Sequence, residues 1–376
     1  MLAGGMRILE VTHYMPPHLG GIELVAASLA KGLRARGHKV RWIASANPGK
    51  SGWEGDRLRV PAWNLLEERA GLPYPLWSPR ALLSLDREIV LADVVHVHDC
   101  LYMGSAFAVL AAKRLGKPVL VTQHIAMVPY GKVLDIVEGL AYATLGRAVL
   151  SRATKLVACA PHVPPFFRSL GVDKPFELIR NGIDEERFRL ASFEERSAQR
   201  RARGLDERGK IVLFSGRLVA KKGVAKVASL QRRLGAEGIT LVVCGEGPLA
   251  HLFEGVPRVH RLGAVPPERM PEVYSLADVF LLPSRGEGLP LGVQEAMFSG
   301  LDVVASEDEA FKDALSGAPG IRLADTEDEL FFALKNALEG KARRELVRAF
   351  AVQRWGLTGF IDAYEAALLS IARGPR

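Results

Sequence analysis

Hydrophobic and polar residues alternate in blocks along the chain. Short runs rich in aliphatic residues, such as Arg7–Val11, Val94–His98 and Val279–Leu282, predict strands because each spans only four or five residues and leads into a turn. The segments between such runs carry apolar residues at helical spacing, and one of them, 22–36, ends just before Gly37. Strands that alternate with helices predict an α/β fold of doubly wound parallel sheets.

This pattern occurs twice, which predicts two domains in the 376 residues. The domains are expected at 1–173 and 174–356, followed by a C-terminal helix at 357–376. One stretch departs from the pattern: Asn47–Pro79 contains Trp53, Trp63 and Trp77 and shows no clear periodicity. We interpret it as a variable excursion near the substrate.

Two glutamates flank the start of a helix after the run Val279–Leu282. Glu287 lies in a glycine-bearing loop, and Glu295 lies about a turn and a half inside the following helix. The amides of Gly288 and Leu289 are expected near the positive end of that helix, which favours anions. In an open α/β sheet, ligands bind in the crevice at the carboxyl ends of the strands. The alternative is a surface loop with two solvated glutamates.

A second glycine-bearing loop carries cations. Arg217 and Lys222 follow the predicted strand Ile211–Ser215, and Lys221 is a rival for the role of Lys222. A guanidinium is a planar fork and an ammonium is a compact charge, so the pair suits an anionic ligand. Two exposed cations on a loop are the alternative, but their position after a strand favours an anion site.

The predicted N-terminal domain contains a third glycine loop. Gly20 and Gly21 precede a helix, where a backbone without side chains can approach a ligand closely. A complete G-x-G-x-x-G dinucleotide fingerprint is absent from the sequence.

Histidines end two strands of the same domain. His96 and His98 share one face of a strand that leads into Asp99, and His124 follows the strand Val119–Thr122. His-x-His is a metal-ligand spacing, but no further cluster of ligands accompanies it in the sequence. We therefore expect no metal site.

The motifs, in this order, resemble the retaining nucleotide-sugar glycosyltransferases of family four. The resemblance rests on Glu-x7-Glu at 287–295, Gly-Gly-x-Glu at 20–23, Asn-Gly-Ile-Asp at 181–184 and the loop at 216–223, and it covers essentially the whole chain. It implies the GT-B fold, in which two Rossmann-like domains face across a cleft. The first domain would bind the acceptor, the second the donor, and the C-terminal helix would cross back to the first. One departure is Ser-Glu-Asp-Glu at 306–309, where the family often has Gly-Gly.

The resemblance also implies roles for individual residues. Glu295 would hold the ribose hydroxyls, while Glu287 would contact the transferred sugar and the diphosphate would leave toward Arg217 and Lys222. His124 would lie close to the sugar, which completes a catalytic set of Glu287, His124, Arg217 and Lys222. The remaining donor-binding residues would be Gly20, Gly21, Glu246, Gly288, Leu289 and Leu291, and the acceptor region would contain His96, His98 and Asp99.

The expected activity is the transfer of a hexose, with retention, from a UDP- or GDP-sugar to a hydroxyl acceptor. That acceptor would be lipid-linked, or a polysaccharide or glycolipid precursor. A sugar-nucleotide epimerase and a non-catalytic sugar-nucleotide-binding protein are the alternatives. The sequence contains no Asp-x-Asp, which excludes the metal-dependent, single-domain class of transferase, and we expect no cofactor.

Charge and cysteine content bear on location. Through Asp184 the chain has 22 Lys and Arg against 15 Asp and Glu, and the remainder has 28 against 27. This basic half suggests weak association with anionic membranes, and no nucleic-acid-binding motif accompanies it. Three unclustered cysteines and the lack of a long apolar run indicate a cytoplasmic protein, peripheral on the inner face of the cell membrane.

Overall fold

The computed structural model describes residues 5–18, 20–46, 50–65, 74–127, 132–286, 288–340 and 343–372. The chain divides into two compact units. Unit 1 is Met1–Gly182 together with Thr358–Arg376, and unit 2 is Ile183–Leu357.

Unit 1 is built on one large sheet whose strands are parallel apart from one edge strand. Among the described residues the order is β10-β9-β8-β7-β1-β2-β4-β3, and only β3 is antiparallel to its neighbour. A separate hairpin pairs β5 with β6. These strands are β1 Arg7–Val11, β2 Lys39–Ser45, β3 Gly52–Glu54, β4 Arg57–Val60, β5 Ala62–Trp63, β6 Leu76–Trp77, β7 Val94–His98, β8 Val119–Gln123, β9 Lys155–Ala158 and β10 Phe176–Leu178.

Unit 2 has a wholly parallel sheet in its described residues, with the order β13-β12-β11-β14-β15-β16. Its strands are β11 Ile211–Ser215, β12 Thr240–Cys244, β13 Val259–Gly263, β14 Val279–Leu282, β15 Asp302–Ala305 and β16 Ile321–Leu323. In each unit the strand order reverses at a switch point, which lies between β1 and β7 in unit 1 and between β11 and β14 in unit 2. Both sheets are therefore doubly wound. The predicted α/β class with two Rossmann-like units is confirmed.

Most of the helices lie between successive strands, and the last three follow β16. In chain order they are α1 Gly21–Ala35, α2 Pro79–Leu91, α3 Met103–Arg114, α4 Lys132–Ala141, α5 Arg147–Arg152, α6 Val163–Ser169, α7 Phe193–Arg201, α8 Val224–Ala236, α9 Met270–Ser275, α10 Leu291–Phe298, α11 Glu309–Ala314, α12 Glu327–Glu339, α13 Arg344–Trp355 and α14 Leu357–Ala372. A π-helical turn, Tyr142–Gly146, joins α4 to α5. None of the described helices combines the length and apolarity that crossing a bilayer requires.

Two predicted segments differ in detail from the structure. The charged stretch 185–208, whose composition predicts a helix, is helical only in α7. It begins with a turn, because Asp184 accepts the backbone N–H groups of Glu186 and Arg187. The described part of the tryptophan-bearing excursion contains four short strands, and Trp77 is buried while Trp63 stays exposed.

Helix α14 packs within unit 1 although it ends the described chain. Tyr364 is fully buried, and its hydroxyl lies 3.1 Å from Thr122 Oγ1 on β8. Gly182 makes room for this helix, since a Cβ there would lie 2.4 Å from the Phe360 Cβ. The glycine of the Asn-Gly-Ile-Asp motif therefore serves close packing.

Candidate functional site

The switch point of unit 2 brings together the loops after β11 and β14. Gly223 has a φ of 72°, and a Cβ on it would lie 2.4 Å from the Pro283 carbonyl oxygen. The Arg285 N–H donates to the Lys221 carbonyl across 3.1 Å. A glycine in the left-handed region thus lets the two loops pack backbone to backbone. As a result, the predicted cationic loop lies beside the loop that contains Glu287.

The two predicted phosphate-binding cations differ in exposure. Arg217 is exposed, and Lys222 is half-buried. The aliphatic part of the Lys222 side chain packs against Gly216, since a Cβ on Gly216 would lie 3.7 Å from Lys222 Cε. Lys222 and Lys221 lie in one turn of 3₁₀ helix, Ala220–Lys222, before α8. The sequence alone did not distinguish these two lysines.

Glu246 lies on the adjacent loop, after β12. The Leu218 N–H donates to the Glu246 carbonyl, and Gly247 permits the close approach, since its Cβ would lie 2.6 Å from the Leu218 carbonyl oxygen. The carboxylate of Glu246 is exposed and lies 3.7 Å from Arg261 Nη2. Glu246 is thus joined to the loop of Arg217 through the backbone.

Glu295 is held by a tyrosine that the sequence did not single out. The fully buried Tyr274, on α9, donates its hydroxyl to Glu295 Oε2 at 2.8 Å. Burial raises the pKa of Glu295, and the Tyr274 hydrogen bond and the charge of Arg187 oppose that rise. The contact fixes the side chain of Glu295 as a hydrogen-bond acceptor in the first turns of α10. The local sequence around Tyr274 gives no sign of this contact, because Glu295 lies 21 residues further along the chain.

The loop around Glu287 is supported from the next strand. Glu287 itself lies outside the described residues, so its predicted role stays a prediction. The Gly286 N–H donates to Asp308 Oδ2 at 2.9 Å, and the Ser306 hydroxyl donates to the Ser284 carbonyl. The Ser-Glu-Asp-Glu segment that departs from the family pattern therefore braces this loop.

The residues that follow complete the start of α10. Leu289 is buried, Gly288 and Leu291 are half-buried, and Pro290 is the N-cap residue. The predicted donor-binding amides of Gly288 and Leu289 thus lie at the beginning of a described helix, as expected.

In unit 1, the loop of Gly20 and Gly21 folds around a buried carboxylate. Gly20 is the N-cap of α1, and a Cβ on it would lie 2.2 Å from Glu23 Oε2. Glu23 Oε1 lies 2.8 Å from His18 Nδ1 and 3.5 Å from His13 Nε2. Burial raises the pKa of Glu23, but the two histidines outweigh it and the pKa falls. His13 and His18 were not predicted, because isolated histidines are common in cores.

A buried polar network connects β1, β7 and β8 of the same unit. Glu10 on β1 is the register partner of His96 on β7, and its carboxylate contacts His96 Nδ1 at 3.0 Å and His98 Nε2 more closely. The network continues from His98 Nδ1 to His124 Nε2 at 2.8 Å. It runs on the other side from His96 Nε2 to Thr122 Oγ1 at 2.8 Å.

One ionised carboxylate sets the tautomers of this network. Burial raises the pKa of Glu10, but the two neighbouring imidazoles outweigh it and bring the pKa to about 2. An ionised carboxylate only accepts, so His96 Nδ1 and His98 Nε2 carry protons. Burial lowers the pKa of His98 and of His124, which keeps both rings neutral. His98 Nδ1 therefore accepts the hydrogen bond that His124 Nε2–H donates.

The predicted catalytic His124 has both ring nitrogens turned into the protein. Its Nδ1 lies 3.4 Å from the Cys159 sulfur, and its backbone N–H donates to Asp99 Oδ1 at 2.8 Å. Burial raises the pKa of Asp99 to about 7, opposed by that hydrogen bond. His96 and His98 are fully buried, so they bear on the acceptor region through His124 and Asp99 rather than by contact.

The side chains of Glu10, His96 and His98 are of types that bind metal ions. One ligand atom from each lies within 4.8 Å of the others. All four ring nitrogens of the two histidines are already within hydrogen-bond distance of Glu10, Thr122 or His124. A metal ion would have to replace some of these hydrogen bonds.

The fold consists of two Rossmann-like units, and comparisons with known proteins assign the chain to a family. Residues 19–187 match the model of Glycosyltransferase Family 4, and residues 209–339 match that of Glycosyl transferases group 1. The chain belongs to the family-four glycosyltransferases and has their GT-B fold.

Relatives include a GDP-mannose-dependent alpha-mannosyltransferase of Corynebacterium glutamicum, 27% identical over 80% of this chain and 72% of that protein. A GDP-mannose-dependent alpha-(1-6)-phosphatidylinositol monomannoside mannosyltransferase of Mycobacterium tuberculosis is 27% identical over 98% of both chains. Among solved structures, Anabaena HepE in complex with UDP has a TM-score of 0.75 at 16% identity, over 97% of this chain and 100% of that one. This structural likeness concerns the fold alone.

Proposed function

We propose that the protein transfers a hexose, with retention of anomeric configuration, from a UDP- or GDP-linked sugar to a hydroxyl group. The observation that carries the proposal is one switch point that combines the loop of Arg217 and Lys222 with the start of the helix of Glu295. Relatives named as GDP-mannose-dependent enzymes make GDP-mannose the first donor to test. The acceptor is lipid-linked or a glycolipid or polysaccharide precursor.

The chemistry requires charge stabilisation on the departing diphosphate. The bond from the anomeric carbon to the phosphate oxygen breaks, and a bond to the acceptor oxygen forms on the same face of the sugar. The acceptor proton passes to the leaving phosphate. Arg217 and Lys222 offset the charge that develops there, together with backbone amides at the start of α10.

These groups replace a divalent cation, so we propose that transfer is metal-independent. Turnover should be unchanged after EDTA treatment and gel filtration. Activity that EDTA abolishes and that magnesium or manganese restores would contradict this part of the proposal.

A donor panel tests the activity. Nucleotide release should be measured for GDP-mannose, UDP-glucose and related donors, with and without acceptor extracts, and the anomeric configuration of the product should be determined by NMR. An acceptor-dependent release of nucleotide with a retained configuration is the expected result. Release that needs no acceptor and yields a rearranged sugar would favour an epimerase, and donor binding without release would favour a binding protein.

We also propose a cytoplasmic location, peripheral on the inner face of the cell membrane. The excess of cations in the first 184 residues supports contact with anionic lipid. Fractionation of the native protein between membrane and soluble material, with and without a high-salt wash, tests the location.

A further inference from the structure

Helix α4 of unit 1 is oriented against the usual rule for surface helices. An amphipathic helix normally buries its apolar stripe and exposes its charged residues. Here Leu134, Ile136, Val137 and Leu140 are 42%, 72%, 59% and 64% exposed, whereas Glu138 is half-buried. We call these four residues the outward aliphatic face.

The inward side of α4 contacts a row of rings. Glu138 Oε1 accepts the hydroxyl of Tyr74 at 3.4 Å, and the Tyr74 ring lies 5.4 Å from that of Tyr102. Tyr102 stacks on His13 at 3.9 Å, and His13 in turn approaches Glu23. Three side chains therefore separate α4 from the glycine loop that is predicted to bind substrate.

Unit 1 exposes further apolar side chains. The Met127 sulfur lies beside α4, 3.8 Å from a Cβ placed on Gly139, and Leu145 follows in the π-helical turn. Trp63 and Leu76 are exposed register partners in the hairpin of β5 and β6, and Leu76 lies two residues from Tyr74. The four neighbouring residues of the outward aliphatic face, with Met127 beside them, are a cluster rather than single exposed residues, and such clusters mark interaction sites.

We propose that the outward aliphatic face docks the protein on a lipid bilayer, with α4 lying at the boundary between headgroups and acyl chains. The inference rests on the proposed function, because it supplies the surface that presents a lipid-linked acceptor to the loop of Gly20 and Gly21. The four side chains of the face are aliphatic and lack the tryptophan, tyrosine and arginine that dominate protein interfaces. A basic N-terminal half supplies the second signal that stable attachment to anionic membranes needs.

Vesicle flotation with a matched pair of double variants tests the surface. Ile136→Gln with Leu140→Gln removes two side chains of the face without adding charge. Leu83→Gln with Val90→Gln removes two side chains of α2 in the same unit, which are 65% and 53% exposed. Wild type and the α2 variant should bind phosphatidylcholine vesicles that contain phosphatidylglycerol equally. The α4 variant should bind them roughly tenfold or more weakly, as expected for losing apolar burial.

Three further measurements separate this inference from its rivals and from the proposed function. Binding that remains at high salt in wild type, and not in the α4 variant, supports apolar insertion. Equal binding of all three proteins, or none, overturns the proposal. A wild-type dimer that the α4 variant converts to a monomer, without vesicle binding, assigns the face to a second copy and overturns it too. Nucleotide release with a detergent-solubilised acceptor extract, and without vesicles, should be unchanged in the α4 variant, so a failure of the proposed function would appear in that assay alone.

Discussion

The two units place very different side chains at equivalent switch points. In unit 1, Glu10 and His96 lie within neighbouring strands and are fully buried. In unit 2, Arg217 and Lys222 lie on the loop after the first strand, where they are exposed or half-buried. A position within a strand directs a side chain into a packed face of the sheet, whereas a position after it places the side chain at the crevice where ligands bind. One scaffold therefore supports a buried polar network in unit 1 and the proposed anion site in unit 2.

The largest effect should come from breaking the network of unit 1. Glu10→Ala leaves the N–H groups of His96 and His98 without their acceptor in a buried site. We expect a loss of about 3–5 kcal/mol in the free energy of unfolding, measured by urea denaturation with a probe in unit 1.

Glu10→Gln is the matched control for that variant. Its amide oxygen still accepts from one imidazole, and its NH₂ group donates to the other if the tautomer of His98 reverses. Its loss should be clearly smaller than that of Glu10→Ala. Equal losses would show that the cavity, and not the hydrogen bonds, determines the effect.

The next largest effect should fall on the catalysis of unit 2. Arg217→Ala should cost about 2–5 kcal/mol of transition-state stabilisation, the range for truncating one charge of a buried pair. This corresponds to a loss in kcat/KM of roughly 30-fold to several thousandfold. Arg232→Ala, which removes an exposed cation from α8, is the control and should leave kcat/KM unchanged. A loss below about threefold for Arg217→Ala would remove this residue from the site.

The two glutamates of unit 2 should separate in their kinetics. Glu287→Gln keeps the size of the side chain and removes its charge, so kcat should fall by about a hundredfold. Glu295→Gln weakens an interaction present in both ground and transition states, so the donor KM should rise more than kcat falls. Turnover and donor calorimetry on both variants measure the split.

Tyr274→Phe sharpens that test, because it removes only the hydroxyl that holds Glu295. It should shift the donor KM in the same direction as Glu295→Gln, and by less. If Glu287→Gln instead weakens donor binding while Glu295→Gln lowers only turnover, the two roles are reversed.

The smallest effect concerns the pH dependence of unit 1. Burial raises the pKa of Asp99 from 3.8 to about 7, so the folded state favours its protonated form. The stability that this group contributes is complete below pH 3.8 and is lost as the pH rises to about 7. Asp99→Asn should flatten this slope in melts taken across that range.

Asparagine also suits the backbone at this position. Asp99 has a φ of 55°, which asparagine tolerates, and the amide oxygen still accepts the N–H of His124. Asp99→Ala lacks both properties and should be destabilised at every pH. An unchanged slope in Asp99→Asn would assign the titration to another group.

The sequence by itself determined the class of fold, the family and the positions of the loops. Strand and helix periods are local properties, and the glycines at 20, 216 and 223 mark the turns that a close backbone approach requires. Local patterns also identified Arg217 and Glu295, because each follows a strand or opens a helix.

Only the tertiary structure decided which side chains meet. Tyr274 reaches Glu295 from a separate helix, Asp308 braces Gly286 from the next strand, and both ring nitrogens of His124 face inward. These contacts join residues distant in the chain and depend on how strands pair and helices pack. The outward aliphatic face of α4 is a similar case, because its apolar period predicts a helix but not which side is buried. Burial is a property of the packed molecule, so the local sequence cannot determine it.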